Sequence, residues 1–367
     1  MPQIHPTTRL RPSPFYQSAL DDGMTSASVY NRMMLPMSFG DPEAEYWRLM
    51  TGVSMWDVGV ERQVQLAGPD AGRLAQILCA RDLSVCKVGQ GKYVPICNHD
   101  GFLINDPIVL KLSDCLFWFS IADSDMWLWA RAIAAERGLD VEISEPDVSP
   151  LAVQGPKAEA VVASLFGDWV RELKYFWFKE TEIAGIPVTV QRSGWSKQGG
   201  FELYLRDGRK GAALWNLVKE AGQPWGIGPG APSSAERVES GLLNSVGDTD
   251  ETTSPFEVRL GKFVDLDVPD EVVGIQALRR IAAAGPKRHQ LGLVLEGDTP
   301  QPIGLSWEEI RQNGIKVGSM TTCVWSPRLQ SNIGYGLVAA SCKPDQTVEI
   351  VRPNGVVCAK VVELPFF

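Results

Sequence analysis

One arrangement of apolar and polar positions occurs twice along the chain. Val64-Gln65-Leu66-Ala67 alternates, breaks at Gly68-Pro69-Asp70-Ala71, and continues with apolar residues Leu74, Ile77 and Leu78 at helical spacing. Leu151-Ala152-Val153-Gln154 meets Gly155-Pro156-Lys157-Ala158 in the same way, followed by Val161, Val162, Leu165 and Phe166. Each unit predicts a short strand, a Gly-Pro break and an amphipathic helix, with Pro suited to a helix's first turn. Two related α/β modules follow, against the competing reading that a Gly-Pro pair has recurred by chance.

Between the repeats, Phe102 to Leu112 and Leu116 to Ala122 predict a hairpin turning near Asp114-Cys115. Past the second repeat, strands are expected at Val188–Gln191 and Phe201–Leu205, then a helix centred on Trp215-Asn216-Leu217-Val218. Gly226-Ile227-Gly228-Pro229-Gly230 reads as a loop, since it lacks the G-x-G-x-x-G spacing. Ser233-Ser234-Ala235-Glu236 is a capping box opening a further helix, on which Arg237, Gly241 and Asn244 fall at i, i+4 and i+7.

The first 35 or so residues, rich in Pro and Ser, predict an irregular arm. A short helix is expected over Ala44 to Met50, with Trp47 and Met50 on one face. From Gly285 the texture changes to short strands at Leu291–Val294, Ile315–Gly318, Gly334–Val338 and Val348–Val351, the pattern of a small β-barrel or sandwich. With Ala282–Lys287 as linker, the fold class is α+β in three regions. These are a first module with its arm over 1–145, a second module with the site helix over 146–284, and a β-barrel over 285–367.

Composition narrows the functions. A net charge of −9 with no long Lys/Arg run argues against a nucleic-acid or anionic-membrane surface. The seven Cys are scattered without a C-x-x-C, which favours reduced thiols in a cytoplasmic protein over a disulfide framework or zinc knuckle. The N-terminus lacks a signal peptide's apolar core, and no run of about 18 apolar residues predicts a membrane span. With only His5, His99 and His289, neither a Ser-His-Asp machine nor a His-based metal centre is expected, and a P-loop is absent from the sequence.

The remaining chemistry lies in polar residues on otherwise apolar elements. Glu202 and Tyr204 share one face of their strand, which is either a ligand face or a solvated one. The helix face of Arg237, Gly241 and Asn244 has a glycine notch that either admits a ligand or packs a helix. Asp106, in Asn105-Asp106-Pro107, is either a turn residue or a carboxylate aimed into a site. Arg192 to Gly200 reads as a binding loop displaying Trp195 and Lys197. Trp56, Trp118, Trp177 and Trp195, with Tyr30, Tyr93 and Tyr204, offer aromatic faces for a cation, although most Trp are core residues.

The succession Tyr30-Asn31, Trp56-Asp57-Val58, Arg81-Asp82-Leu83, Tyr93-Val94-Pro95-Ile96, Asn105-Asp106-Pro107, Ser120-Ile121-Ala122-Asp123-Ser124-Asp125, Gln154-Gly155-Pro156, Arg192 to Gly200 and Glu236-Arg237-Val238-Glu239-Ser240 resembles the dimethylsulfoniopropionate demethylases, relatives of the glycine-cleavage T-protein. The resemblance runs from about Arg9 to the Leu364-Pro365-Phe366-Phe367 terminus. It implies a three-domain cloverleaf of T-protein type that admits tetrahydrofolate, ending in a barrel. It places Glu202, Arg237, Tyr93 and Ser120 at the folate, and Asp106 and Tyr204 at the reacting centre. Trp195, Tyr30, Arg32, Lys197 and Asn244 are placed at the substrate.

The implied reaction is transfer of a methyl group from a small sulfonium, held against aromatic rings, to nitrogen-5 of the folate. Three departures leave the donor open among sulfonium, ammonium and ether. The demethylases carry His where this chain has Arg32. They carry Leu-Leu-Ser-Tyr-Gly-Asn-Asp for Leu242-Leu243-Asn244-Ser245-Val246-Gly247-Asp248, and Asn-Pro-Phe-Glu-Cys-Gly for Ser254-Pro255-Phe256-Glu257-Val258-Arg259. An aminomethyltransferase serving a carrier protein is the second reading. A non-catalytic folate-binding factor would need a dedicated Cys that Arg192 to Gly200 lacks. A homodimer is the working expectation, with no direct sequence signal for it.

Overall fold

The computed structural model describes residues 7–301, 304, 306–353 and 355–367, so His5 lies outside the described residues. The chain forms two compact units built from interleaved segments: Met1–Ala75, Val85–Lys92 and Pro107–Pro232 in the first, and Gln76–Ser84, Tyr93–Asp106 and Ser233–Phe367 in the second.

Both repeats form the predicted strand and helix: Gln63–Ala67 with Ala71–Leu78, and Ser149–Gln154 with Ala158–Phe166. The glycine of each break is left-handed, Gly68 at φ +136° and Gly155 at +121°, and its carbonyl accepts from the residue that opens the helix. A Cβ on Gly68 would lie 2.9 Å from the Asp140 carbonyl, and one on Gly155 2.6 Å from that of Gly52. Glycine is therefore required twice over, by conformation and by close approach.

The first unit holds two sheets. One has six strands in the order Phe178–Ile183, Ile186–Gln191, Gly200–Leu205, Ser149–Gln154, Ser54–Asp57 and Gly228–Gly230. The last is parallel to its neighbour, so the stretch expected to be a loop ends in an edge strand. The other sheet runs Glu142–Ser144, Gln63–Ala67, Leu116–Ser120, Ile108–Ser113 and Gln90–Tyr93. Its central pair is the predicted hairpin. The upstream part of that prediction instead forms Leu103–Asn105, which pairs with Ile96–Cys97 in the second unit.

Phe201, Leu203 and Leu205 pack with Val161, Val162, Leu214 and Trp215 from two covering helices. The opposite face of the same strand is also buried, with Tyr204 against Leu110 and Trp118 of the second sheet. A strand that alternates in sequence is thus enclosed on both sides, because a second sheet covers the face that looked solvated.

The N-terminal segment is more ordered than its composition suggests. Ser26–Tyr30 and Met33–Ser38 form an antiparallel hairpin after the helix Tyr16–Asp21. Asn31 and Arg32 both take positive φ, +49° and +60°, the two-residue turn whose twist matches its strands. The next helix, Pro42–Thr51, is capped by Asp41, which accepts from the Ala44 N–H at 3.0 Å. Its inward face is Tyr46 and Leu49 rather than Trp47 and Met50; Trp47 is exposed.

In the second unit a closed barrel runs Arg288–Leu295, Ser331–Ala339, Ile315–Ser326, Glu308–Gln312, Thr347–Arg352 and Gly355–Val362. The first half of the expected linker is helical, since Ile275–Ala284 extends to Ala284 before Gly285 ends it. The capping-box helix forms at Ser234–Glu239, where Ser233 accepts from the Glu236 N–H at 3.2 Å. It stops early. Gly241 takes φ +72°, its N–H donating to the Val238 carbonyl while the Leu242 N–H donates to that of Arg237. Those two bonds define a Schellman cap. Arg237, Gly241 and Asn244 therefore do not share a helical face, because the glycine read as a notch is the helix terminator.

Asp57 anchors the N-terminal segment from a fully buried position, held by neutral donors. It accepts from Ser13 Oγ at 2.5 Å and from the Gly59 N–H at 3.0 Å. Burial pushes its carboxyl up to about 6, against the pull of those two donors. Its proton is thus held more tightly in the folded chain than in the unfolded one, and its contribution to stability falls as pH rises from about 4 to about 6. Ser13→Ala is expected to cost about 1–3 kcal/mol at pH 7.5, where the carboxylate is ionised, and clearly less at pH 5. Thermal unfolding at the two pH values measures the difference.

Candidate active site

In the first unit, Glu202 is buried between the two sheets among neutral donors. Its Oε2 accepts from Ser193 Oγ at 2.5 Å and from the Tyr204 hydroxyl at 3.1 Å. Gln191 Oε1 lies 3.1 Å from the same two hydroxyls, so each proton has two acceptors within reach. Ser120, on the facing sheet, extends this cluster. It accepts from Gln63 Nε2 at 3.0 Å and lies within hydrogen-bonding reach of Tyr204 and of Glu61 Oε2.

Burial raises the Glu202 carboxyl, and the two hydroxyls pull it back. Burial, then the charges of Glu202 and Glu61, drive the Tyr204 phenol well above its ordinary value. Among the described residues no Lys or Arg forms an ion pair with Glu202. The alternation in the sequence put Glu202 and Tyr204 on one face; the structure adds Ser120, Ser193, Gln191 and Glu61 to them.

The loop from Arg192 to Gly200 is shaped around Gln154. The Gln154 amide donates to the Ser193 carbonyl at 3.0 Å and accepts from Ser196 Oγ at 2.9 Å. A Cβ on Gly194 or Gly200 would fall 1.9 or 2.4 Å from Gln154 Nε2, so the Gln-Gly-Pro break and the glycines of the loop fit one another. Trp195 is half-buried and Lys197 exposed. Tyr175, not singled out by its sequence pattern, donates to the Gly194 carbonyl at 3.5 Å.

Tyr30 ends its hairpin strand half-exposed. Asn31 is buried; its N–H donates to Asp123, its side-chain amide donates to the Val60 carbonyl, and its Oδ1 accepts from the Ser124 N–H. Arg32 is exposed and paired with Asp125 at 3.2 Å. Trp56 and Trp118 are core residues, the latter donating to Gln65 Oε1 at 2.9 Å.

A second constellation occupies the other unit. The Tyr93 hydroxyl donates to Asp106 Oδ2 at 2.6 Å, and the Tyr93 ring stands edge-on to Phe263 at 5.0 Å. Asp106 is half-buried. Burial pushes its carboxyl up to about 6, while bonds from Tyr93 and Ser245 oppose the rise. Arg237 donates to Asp248 Oδ2 at 2.6 Å and to Thr322 Oγ1 at 3.1 Å, with its guanidinium over the Tyr335 ring. Asp248 also accepts from Thr321 Oγ1 at 3.0 Å and from the Asn244 N–H at 2.9 Å. Arg237 and Asn244 thus meet through Asp248. Tyr335 places its hydroxyl 2.9–3.1 Å from the carbonyls of Arg237, Val238 and Leu242, beside the helix cap.

Ser245 and Arg259 were visible in the sequence only as positions of difference from the demethylases, and Asp248 only as the unchanged end of such a segment. No periodicity marks residues that meet through turns. Among the described residues no group of three His, Cys, Asp or Glu is placed to hold a metal, and no helix is long and apolar enough to cross a membrane.

Residues 15–268 match the GCVT N-terminal domain family, and residues 288–367 match the glycine cleavage T-protein C-terminal barrel domain family. The chain belongs to the glycine-cleavage T-protein (aminomethyltransferase) family. It is 40% identical to dimethylsulfoniopropionate demethylase DmdA of Ruegeria pomeroyi over 97% of both chains. It is 31% identical to an aminomethyltransferase of Thermotoga maritima over 91% of both. The glycine cleavage system aminomethyltransferase T of Bartonella henselae superposes with a TM-score of 0.84 at 21% identity, covering 97% of this chain and 98% of that one, which shows a shared fold.

Arg237 and Asp248 are almost fully buried, at 6% and 0% side-chain exposure, so loss of one strands the other's charge. Asp248→Asn is expected to cost about 3–5 kcal/mol in denaturant unfolding. Replacing both by Met should recover much of that loss.

Proposed function

We propose that this chain is a cytoplasmic, tetrahydrofolate-dependent demethylase of a small methylated sulfonium of the dimethylsulfoniopropionate type. The observation that carries this reading is the 40% identity to a dimethylsulfoniopropionate demethylase along nearly the full length of both proteins. Aminomethyltransferases align less closely, at 28–32% identity. The first unit fits the folate. Glu202 and Gln191 present acceptors held by neutral hydroxyls, suited to the N–H edge of a pterin, and a carboxylate without a local cation is free to take such donors.

Tetrahydrofolate would supply the nucleophilic nitrogen that takes the methyl group, and the sulfonium would leave as a neutral thioether that keeps the carbon–sulfur electron pair. No general acid is needed for that leaving group. Methylation of a secondary amine releases one proton, and Asp106, with a carboxyl near 6, would be a base of suitable affinity for it. Trp195 and Tyr30 supply rings that attract a sulfonium without a counter-charge. Holding donor and acceptor in line and dry is the main contribution.

A single-turnover assay with tetrahydrofolate and dimethylsulfoniopropionate, following 5-methyltetrahydrofolate by chromatography, tests the reading. Product is expected; absence of product with tetrahydrofolate still bound in calorimetry would redirect the search to another methyl donor. Because only ionised Asp106 accepts a proton, kcat/KM is expected to fall as pH drops through about 6. In Asp106→Asn the rate should drop on the order of a hundredfold and that acid limb should vanish from the pH profile.

A further inference from the structure

Arg259 stands in a left-handed backbone conformation, φ +63°. An arginine in that region is strained, and such strain persists where the surroundings hold it in place. Its guanidinium fills the space that Gly241 leaves by lacking a side chain: a Cβ there would lie 3.0 Å from Nη1 and 3.2 Å from Nη2. The notch left by Gly241 is therefore taken by this chain's own cation.

The partners of that cation are neutral. Nη2 donates to the Gly241 carbonyl, and Nε and Nη2 both lie 3.3 Å from Gln290 Oε1. Among the described residues no carboxylate lies within ion-pair distance of Arg259, and Nη1 has no hydrogen-bond partner. Asp248, the carboxylate whose charge reaches Arg259, is already engaged by Arg237. Gln290 adds an independent signal. It is 2% exposed, and its Nε2 has no acceptor. Flipping the amide would set that nitrogen against the guanidinium, donor to donor, so the orientation is fixed. A desolvated guanidinium with a free nitrogen, beside an unsatisfied buried amide donor, is a donor set without its acceptor.

We propose that Arg259, supported by Gln290, receives the carboxylate of a small-molecule ligand and so determines specificity for carboxylate-bearing ligands in this enzyme. The inference rests on the demethylase reading for its choice of ligands. The carboxylate belongs either to the methyl donor or to the glutamyl tail of the folate.

The test compares the full-length wild type with Arg259→Gly and Arg259→Lys. Glycine suits the left-handed backbone, so the first variant is expected to fold, and melting curves check this. Calorimetry measures binding of dimethylsulfoniopropionate against the carboxylate-free ethyldimethylsulfonium, and of tetrahydrofolate against its glutamyl diamide, in which both carboxylates are neutral amides. The wild type is expected to prefer the carboxylate-bearing member of one pair by on the order of ten- to a hundredfold. Arg259→Gly should erase that preference, and Arg259→Lys should keep part of it. The pair in which preference collapses identifies the source of the carboxylate. Equal weakening of both members of each pair, or no wild-type preference in either, overturns the proposal. Wild-type turnover of dimethylsulfoniopropionate, read separately, reports on the demethylase reading alone.

Discussion

Buried carboxylates satisfied by neutral donors shape much of this structure. Glu202 is held by Ser193 and Tyr204, Asp106 by Tyr93, and Asp57 by Ser13 and a backbone N–H. In each case burial raises the carboxyl and hydrogen bonds pull it back, leaving a group whose acceptor strength is not consumed by a cation. Asp250 shows the contrast. Burial would raise it, yet Arg288 and the hydroxyls of Thr252 and Thr253 hold it well below its ordinary value. That carboxylate is committed to structure, whereas Glu202 and Asp106 retain the capacity to meet a ligand.

Such groups need rigid surroundings, and the glycines of two breaks and one loop provide them. Gly194 and Gly200 leave room for the Gln154 side chain, which bonds Ser193 and Ser196 and so fixes the loop that also supplies the hydroxyl on Glu202. A substitution in the loop would reach the carboxylate through one amide side chain. The Gln-Gly-Pro break is thus joined to the site it precedes by direct contacts, and its glycine is fixed sterically by the Gly52 carbonyl.

Legibility in the sequence followed the range of the interactions. The repeated strand-break-helix units, the central hairpin and four of the barrel strands were readable because alternation, helical periodicity and turn residues are local. The face shared by Glu202 and Tyr204 was readable for the same reason. The helix of Arg237 was overextended to Asn244, since a glycine within an apolar-periodic run looks alike whether it packs or terminates. Which face of Pro42–Thr51 turns inward was not legible, because Trp47 and Met50 are as apolar as the Tyr46 and Leu49 that the core selects.

The chain by itself determined its α+β class, the Gly-Pro breaks, the barrel at its end and the residue types available for chemistry. These depend on backbone preference and on periodicity over a few turns. Tertiary structure decided that a strand face which alternates like a solvated one is enclosed by a second sheet, that Asp248 joins Arg237 to Asn244, and that Arg259 enters the space left by Gly241. Those outcomes depend on which surface covers which, and burial, the quantity that sets carboxylate acidity and leaves a guanidinium without its counter-charge, exists only once the chain has closed on itself.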